Sequence, residues 1–278
     1  MFYGRVSRAF AVAVCLAAAS GVLAAANTQN LGNEPKLTEE QKIEFLLHAK
    51  VVDSHQLGVG ITHPWRLTLS DGTLTHDAAF QSVNESKNTM QFADGRTELN
   101  FRDSYYYNIA ARELAKLLGL DDMVPVTVER KWQGNVGSLS WWVPWWKMEV
   151  DRIKEKLQPP DAEAWNKQMY KVRVFDQLIY DTDPNLGNVL VTEDWKVWRI
   201  DFTRAFRQSR DLQKPKDLVQ CDRQLLDKLR QLSYDEVLDK TKSYLTKSEV
   251  KAVMARRDKL VAHFEELIAQ KGEAAVLY

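Results

Sequence analysis

The apolar positions of this chain follow a strand-like pattern in its first half and a helical pattern in its second. Between Lys50 and Val83, short apolar runs are separated by turn signals such as Ser70-Asp71-Gly72, which predicts antiparallel strands. Apolar residues then recur at helical spacing from Tyr105 to Leu118, and residues 124–143 predict a second hairpin. The first half is therefore expected to be a sheet with one helix.

In the second half the apolar spacing becomes helical. A stripe from Trp165 to Ile179 and a longer one that begins after the capping residue Thr246 predict two of the helices. One hairpin, from Asn188 to Phe202, interrupts them. The pattern predicts an α+β protein with a small antiparallel sheet lobe, about residues 50–143, and a mostly helical lobe, about residues 144–278.

The first 26 residues differ in kind from the rest. Arg5 and Arg8 are followed by an almost wholly apolar run, residues 9–19, and then by small residues up to Ala26. This order of basic, apolar and small segments predicts a cleaved secretory signal peptide at residues 1–26. The alternative is a membrane anchor, but the apolar run is short for a span of about 20 residues.

Residues 27–37 are polar and rich in structure breakers, which predicts a flexible tether before a single domain at residues 38–278. Thr38 and Gln41 have the spacing of a capping box, so that domain should open with a short helix. No later apolar stretch is long enough to cross a bilayer, and we expect no transmembrane segment in the mature chain. Cys221 is its one cysteine, so the hydrophobic core must stabilise the fold without an internal disulfide.

The charge of the chain is balanced. It carries 38 basic and 38 acidic residues, and removal of Arg5 and Arg8 leaves 36 basic residues and a net formal charge of −2. Domains that bind nucleic acid are usually basic, so this composition predicts no nucleic-acid partner. The five histidines are scattered without the spacing of zinc ligands.

One segment places three oxygen-bearing side chains around a loop and a hairpin. Asp183 lies five residues before Asn188, and Asp201 follows at the end of the predicted hairpin. Phosphoryl transfer needs a carboxylate near the attacking hydroxyl and oxygen ligands for Mg²⁺ ions that bridge the phosphates. Each of the three residues alone is also typical of a turn or a strand end. Together, in this order, they predict a metal and phosphoryl-transfer site.

This segment resembles the atypical kinases, a group that includes the phosphatidylinositol kinases, the HipA-type bacterial kinases and the secretory-pathway kinases. Their loop runs Asp-Arg-His-x-x-Asn before an Asp-Phe or Asp-Tyr, and this chain has Asp183-Pro184-Asn185-Leu186-Gly187-Asn188 before Asp201-Phe202. The upstream segments Leu118-Gly119-Leu120, Val124-Pro125 and Gly137-Ser138-Leu139 are similar to the secretory-pathway type. The resemblance implies a protein-kinase-like fold, with Asp183 as the catalytic residue and Asn188 and Asp201 as metal ligands.

The chain departs from the family at positions that hold nucleotide phosphates. Family members usually carry a Lys on the third strand and a Glu on the following helix, where this chain aligns Gln81 and Asn108. Two amides can still hydrogen-bond to each other, whereas loss of one partner of a Lys–Glu pair would leave an unpaired charge. If the alignment is shifted instead, Arg66 or Lys87 would supply the positive charge.

Three further features have two interpretations each. Gly58-Val59-Gly60 is either an ordinary turn or a loop that covers phosphates, and Gly58, Gly60 and Gln81 are the candidate nucleotide-binding residues. The paired tryptophans Trp141-Trp142 and Trp145-Trp146 either stack on a purine or pack between the lobes. A basic run after the metal ligand is typical of a solvated surface, although an anionic substrate or a protein partner could also approach it; its members are Arg204, Arg207, Arg210, Lys214 and Lys216.

The resemblance implies an exported kinase-like protein that uses ATP with Mg²⁺ or Mn²⁺ to phosphorylate a hydroxyl acceptor, either a protein or a small molecule. The alternative is a pseudokinase that binds a nucleotide or another ligand as a binding module, favoured by Pro184, Asn185, Gln81 and Asn108. Nucleotidyl transfer by a rearranged pocket is a further alternative. After signal-peptide cleavage the protein is expected in a periplasm or a secretory pathway.

Overall fold

The computed structural model describes residues 37–58, 64–92, 95 and 97–278. The predicted signal peptide, most of the predicted tether and Gly60 lie outside these residues. The helices are α1 Glu39–His48, α2 Tyr106–Leu118, α3 Glu149–Lys154, α4 Ala162–Ile179, α5 Arg223–Gln231, α6 Tyr234–Thr241, α7 Lys247–Lys271 and α8 Glu273–Val276. The strands are β1 Lys50–Gln56, β2 Trp65–Ser70, β3 Thr75–Gln81, β4 Asn84–Gln91, β5 Thr97–Ser104, β6 Thr127–Trp132, β7 Asn135–Trp141, β8 Lys147–Met148, β9 Val189–Val191 and β10 Val197–Arg199.

The small lobe is built on a five-stranded antiparallel sheet with the order β1-β2-β3-β7-β6. The turn between β2 and β3 is the predicted one: the Asp71 carboxylate accepts the backbone N–H groups of Thr73 and Leu74, each at 2.8 Å. One face of the sheet covers a separate apolar cluster that includes Leu67, Phe80 and Leu139. This sheet therefore has its own core.

Helix α1 closes that core and begins as its capping residues predict. Thr38 and Gln41 exchange side-chain to backbone hydrogen bonds of 3.3 and 2.8 Å. At the other end, the Arg130 guanidinium from β6 donates to the carbonyl oxygens of Leu46 and Ala49, each at 2.6 Å. The helix is thus fixed to the sheet at its C-terminal carbonyls, which lack partners within the helix.

Helix α2 begins one residue later than predicted and ends at Gly119, whose φ of 68° is the left-handed conformation that glycine adopts readily. Its apolar residues, such as Leu114 and Leu118, belong to the larger core of the helical lobe. Between β3 and α2 lies a two-stranded antiparallel hairpin, β4 and β5, that the apolar pattern does not predict. The sheet lobe is therefore larger than its apolar pattern alone suggests.

The helical lobe packs α4, α5 and α7 around one apolar cluster that also contains Phe202 and Phe206. A small sheet of order β10-β9-β8 lies beside it. The described residues from Leu37 onwards form two lobes, an antiparallel sheet lobe and a mostly helical lobe, as the sequence predicts. Among the described residues, none of the helices is both long and apolar enough to cross a membrane.

The end of the helical lobe is closed by the segment after α8. Cys221 is fully buried and forms an isolated parallel bridge with Leu277. Its backbone N–H donates to the Val276 carbonyl oxygen at 2.9 Å, and its carbonyl oxygen accepts the Tyr278 N–H at 3.2 Å. Burial raises the pKa of the Cys221 thiol to about 12.

Candidate functional site

The site is organised around Arg199, the last residue of β10. Its side chain is only 2% exposed, and it forms ion pairs with Asp176 of α4, at 3.1 Å, and with the equally buried Asp181. The same guanidinium donates to the backbone carbonyl oxygens of Asn188, at 3.3 Å, and Ile200. One buried cation therefore joins the end of α4, the loop after it and the strand that leads to Asp201.

The two carboxylates of this buried network have pKa values above the usual range. Burial raises the pKa of Asp181 to about 6, the negative charges of Asp176 and Asp183 add to the rise, and Arg199 opposes it. Burial also raises the pKa of Asp176, again against the effect of Arg199. These carboxylates depend on Arg199 for their charged form.

The loop that carries Asp183 is held in place by short local hydrogen bonds. The Asp183 N–H donates to the Asp181 carboxylate at 2.9 Å, while the Asp183 side chain is exposed. Asn185 caps the following 3₁₀ turn, Leu186–Asn188, because its side chain accepts the Gly187 N–H at 2.9 Å. Asn185 thus has a local structural reason for standing where the kinase family usually has His.

Asp201 lies two residues beyond β10, so the strand is shorter than the predicted Trp195–Phe202. The cause is a backbone φ of 58° at Asp201, which an extended strand cannot contain. The Ile200 N–H donates to the Asn188 carbonyl oxygen at 3.0 Å, and the Thr182 hydroxyl donates to the Arg204 carbonyl oxygen at 2.9 Å. The segments that carry Asp183, Asn188 and Asp201 therefore run side by side.

The aligned pair of amides is in contact. The Asn108 amide donates to Gln81 Oε1 at 2.6 Å and to the Ser138 hydroxyl at 3.0 Å, and its oxygen accepts the Phe202 N–H at 2.8 Å. Asn108 thereby links β3, β7 and the residue next to Asp201. The two amides therefore hydrogen-bond to each other, as the sequence analysis expects of a neutral pair.

The two other cations considered for that role have partners. Arg66 forms a buried ion pair with Asp77, and its Nε donates to the same carboxylate at 2.7 Å. Lys87 lies on β4, outside the five-stranded sheet, and pairs with Glu85 at 2.9 Å. Neither replaces the family's lysine at the position of Gln81.

The interpretation of the basic run as a solvated surface is wrong for its first two residues. Arg204 and Arg207 are 16% and 11% exposed, and both form ion pairs with Glu98 of β5, at 2.5 and 2.7 Å. The Arg204 guanidinium also lies over the Phe101 ring, 4.5 Å from its centroid. These two arginines dock the β4–β5 hairpin onto the segment that follows Asp201.

The remaining candidates differ in how far the structure describes them. Gly58 is exposed in the loop between β1 and β2, with no atom within 4 Å of the position where a Cβ would lie. Gly60 belongs to the part of this loop outside the described residues. Trp141 is a core residue that stacks on His76, with ring centroids 3.8 Å apart, and Trp142 lies under the Arg66 guanidinium at 4.4 Å. Packing accounts for Trp141.

The side chains of the site offer oxygen donors of the type that divalent cations prefer. Asp201 and Asn188 are half-buried and on adjacent segments, and the buried Oδ1 of Asp103 nearby has no hydrogen-bond partner. In the described residues, no group of three or more His, Cys, Asp or Glu side chains is arranged to hold a metal. Asp201 and Asn188 would therefore contribute one carboxylate and one amide, and phosphates and waters would complete the coordination, as is typical of Mg²⁺ sites.

Several of these residues are missing from the sequence prediction. Three of them interact with residues that are distant in the sequence, so sequence spacing does not identify them: Asp103, Asp181 and Glu98. Arg199 leaves one signal: a charged residue between Trp198 and Ile200 in an otherwise apolar strand indicates a buried ion pair.

Comparison of the sequence with protein-family models and with curated proteins gives no match. Solved structures do match. A hydra Fam20 structure with sugar has a TM-score of 0.63 and 16% identity, covering 88% of this chain and 93% of that one. The Golgi casein kinase has a TM-score of 0.61 and 13% identity, covering 88% of this chain and 78% of that one. It has also been solved with Mn/ADP bound.

A bacterial protein shares the same architecture. The Helicobacter pylori proinflammatory kinase CtkA has a TM-score of 0.50 and 9% identity, covering 81% of this chain and 98% of that one. At these identities the likeness concerns the fold. The described chain has the two-lobed fold of the atypical kinases, the group that its segment from Asp183 to Phe202 resembles.

Proposed function

We propose that this protein is an ATP-dependent phosphotransferase that uses Mg²⁺ or Mn²⁺ to phosphorylate a hydroxyl acceptor. The observation that carries the proposal is the side-by-side arrangement of the Asp183 loop, Asn188 and the Asp201 segment, held together by Arg199. Phosphoryl transfer depends mainly on positioning and charge stabilisation, and this arrangement supplies the groups for both.

Each of the three residues has a distinct role in this proposal. Asp183 is exposed at the start of the loop, where its carboxylate can orient or deprotonate the acceptor hydroxyl. Asp201 and Asn188 would hold the metal through oxygen atoms, and the positive φ of Asp201 sets the direction of its side chain. Mg²⁺ or Mn²⁺, when bound, supplies positive charge that neutralises the phosphate oxygens.

Nucleotide binding in this proposal differs from that of kinases with a lysine. Gln81 accepts a hydrogen bond through Oε1, which leaves its two Nε2 protons for the oxygen atoms of a ligand. An amide offers hydrogen bonds to phosphates but no charge, so affinity for ATP should depend strongly on the metal. The β1–β2 loop with Gly58 and Gly60 is the proposed cover of the phosphates.

A pseudokinase is the second candidate, and the Asn108–Gln81 contact favours it. This neutral pair is fully formed and links β3 to Phe202. The pocket would then be maintained for binding rather than for turnover. Export to a periplasm or a secretory pathway remains part of both proposals, supported by the basic, apolar and small segments of residues 1–26 and by the likeness to a Golgi kinase.

Calorimetric titration with ATP, with and without Mn²⁺, tests the proposal in three variants. Asp201→Asn should lose metal-dependent ATP binding. Asp183→Asn should bind ATP like the wild type but lower the turnover about 10²- to 10⁴-fold, since it removes an acid–base group. Asp239→Asn is the matched control, because Asp239 is an exposed carboxylate paired only with Lys242 in the described structure.

Turnover is measured as ADP or pyrophosphate released from ATP and as the mass gained by a protein or small-molecule acceptor. A gain of one phosphate supports phosphoryl transfer, whereas a gain of a whole nucleotide would identify nucleotidyl transfer. ATP binding that does not depend on metal, together with no turnover in the wild type, would identify a pseudokinase instead.

A further inference from the structure

The proposed metal site has a second carboxylate, Asp103, that the roles described above do not use. Asp103 is the penultimate residue of β5, and the next residue, Ser104, donates its backbone N–H to the Thr203 carbonyl oxygen at 2.9 Å. This bond holds the end of β5 against the segment that begins at Asp201. Oδ1 of Asp103 is buried and has no hydrogen-bond partner among the described residues.

Asp103 and Asp201 share a single donor. The Thr203 hydroxyl donates to Asp201 Oδ1 at 3.1 Å, and it also interacts with the Asp103 carboxylate. A hydroxyl carries one proton and cannot satisfy two carboxylates at once. The two carboxylates are also close enough to repel each other, so their negative charges are not balanced by hydrogen bonding alone.

The described surroundings supply little positive charge to this pair. Arg204 interacts with Asp103, but it forms its ion pair with Glu98 and stacks on Phe101. Arg199 interacts with Asp201, but its guanidinium is paired with Asp176 and Asp181. Gln81, at the position where related kinases usually have Lys, is neutral. Asn108 cannot help, because both its amide protons and its oxygen are used by Gln81, Ser138 and the Phe202 N–H. A buried carboxylate oxygen without a partner is costly, and a bound cation would offset that cost.

We infer that Asp103 is a third protein ligand of the divalent cation held by Asp201 and Asn188, an inference that rests on the proposed function. Two carboxylates and one amide are the hard oxygen donors that Mg²⁺ and Mn²⁺ prefer, and they leave coordination positions for phosphates and water. Because two carboxylates attract a divalent cation by themselves, the protein binds it before any nucleotide arrives. The metal then supplies the positive charge that Gln81 does not.

The experiment is a titration of the full-length protein with MnCl₂ in the absence of nucleotide, followed by the EPR signal of free Mn²⁺. Asp103→Asn keeps the shape of the side chain and removes its charge, and it should weaken Mn²⁺ binding at least about tenfold. Asp201→Asn should weaken it comparably. Asp239→Asn, the exposed control, should bind Mn²⁺ like the wild type.

Thermal melting separates a metal ligand from a residue that only stabilises the fold. Without metal, Asp103→Asn should melt above the wild type, because it removes a buried oxygen without a partner and its repulsion with Asp201. With saturating Mn²⁺, the wild type should gain stability that the variant does not gain. A purely structural Asp103 predicts the reverse, a lower melting temperature without metal and unchanged Mn²⁺ affinity, and that result would overturn the inference.

The variants also distinguish this inference from the proposed function. If Asp201→Asn loses Mn²⁺ while Asp103→Asn keeps wild-type affinity, Asp103 is not a ligand and the proposed metal site stands without it. If the wild type binds no Mn²⁺ with or without ATP, both proposals fail. Should Asp103→Asn not fold, Asp103→Ser removes the same carboxylate with a smaller side chain and is judged by the same two outcomes.

Discussion

Arg199 shows how a single side chain can order a whole site. Its guanidinium is the cation for two buried carboxylates and a donor to two backbone carbonyl groups on either side of the proposed metal ligands. A buried ion pair adds little net stability compared with apolar packing, but its value here is geometric. The network fixes the distance between the loop of Asp183 and the segment of Asp201.

The first prediction concerns this network. Arg199→Gln should lower the free energy of unfolding by about 3–5 kcal/mol, because Asp176 and Asp181 would be left buried without a cation. The control is Lys196→Gln in the same β9–β10 hairpin. The Lys196 pair with Asp122, at 3.6 Å, is exposed and should contribute about 0–1 kcal/mol. Urea unfolding measures both. Equal losses in the two variants would show that the buried network does not stabilise the fold.

At the residue scale, the sequence predicts those site residues that lie close to one another along the chain. Asp183 and Asn188 are five residues apart on one loop, and Asp201 follows the next hairpin, so order and spacing are sufficient to select them. Asp103 and Glu98 meet their partners only after β5 has docked on a segment about a hundred positions later. Such contacts are set by tertiary packing, which no local pattern records.

At the scale of elements, the pairing of β3 with β7 leaves no room for a side chain at Gly137. A Cβ added at Gly137 would lie 2.3 Å from the Gln81 carbonyl oxygen and 2.8 Å from the Phe80 ring. Only glycine permits β7 to pair with β3 at this point. The register that follows places Ser138 opposite Gln81, within reach of Asn108.

The second prediction follows from that approach. Gly137→Ala should lower the free energy of unfolding by about 1–3 kcal/mol, because the strands must separate to admit the methyl group. Gly58→Ala is the matched control: its added methyl group meets open space, and the change should stay within about 0.5 kcal/mol. Thermal and urea unfolding of both variants measure the difference. A harmless Gly137→Ala would mean that β7 can shift away from β3.

The elements that the sequence predicts correctly are those with an apolar face. β2 and β3 have alternating or continuous apolar residues because they cover a core. The start of α1 is predicted by its capping box. The β4–β5 hairpin escapes prediction because nearly all residues of β4 are exposed, so the strand carries no apolar alternation. Its position is set by the ion pairs of Glu98 with two arginines and by the buried Phe101 of β5.

At the scale of the whole molecule, three kinds of contact join the sheet lobe to the segment after Asp201. They are the Asn108 hydrogen bond to the Phe202 N–H, the Ser104–Thr203 backbone bond and the ion pairs of Glu98. All three converge within a few residues of one proposed metal ligand. Movement of one lobe relative to the other would therefore directly change the position of Asp201.

The third prediction concerns the pH dependence of global stability. Burial lowers the pKa of His76 to about 4, with Lys42 and Arg66 adding to the effect and the Trp142 carbonyl and Asp77 opposing it. The unfolded chain takes up a proton below pH 6.5 that the folded protein does not accept until about pH 4. The contribution of the buried neutral His76 to stability is therefore complete above pH 6.5 and is lost as the pH falls towards 4.

His76→Gln tests this effect, because the amide can still donate to the Trp142 carbonyl oxygen but does not titrate. Between pH 6.5 and 4, the wild type should lose up to about 3 kcal/mol more of its free energy of unfolding than the variant. Urea unfolding at a series of pH values gives the two curves. Parallel curves would show that His76 is protonated equally easily in the folded and unfolded states.

The buried Cys221 makes the rate of thiol modification a measure of how often the folded protein opens locally. A thiol reagent needs access to the sulfur atom and a deprotonated thiol. The bridge to Leu277 blocks access, and a pKa of about 12 keeps the thiol protonated. Modification of Cys221 must wait until this part of the chain opens, so its rate under native conditions counts opening events. The same burial protects the Cys221 thiol from oxidation, so the described fold should be equally stable under oxidising and reducing conditions. This would suit a chain whose first residues resemble an export signal.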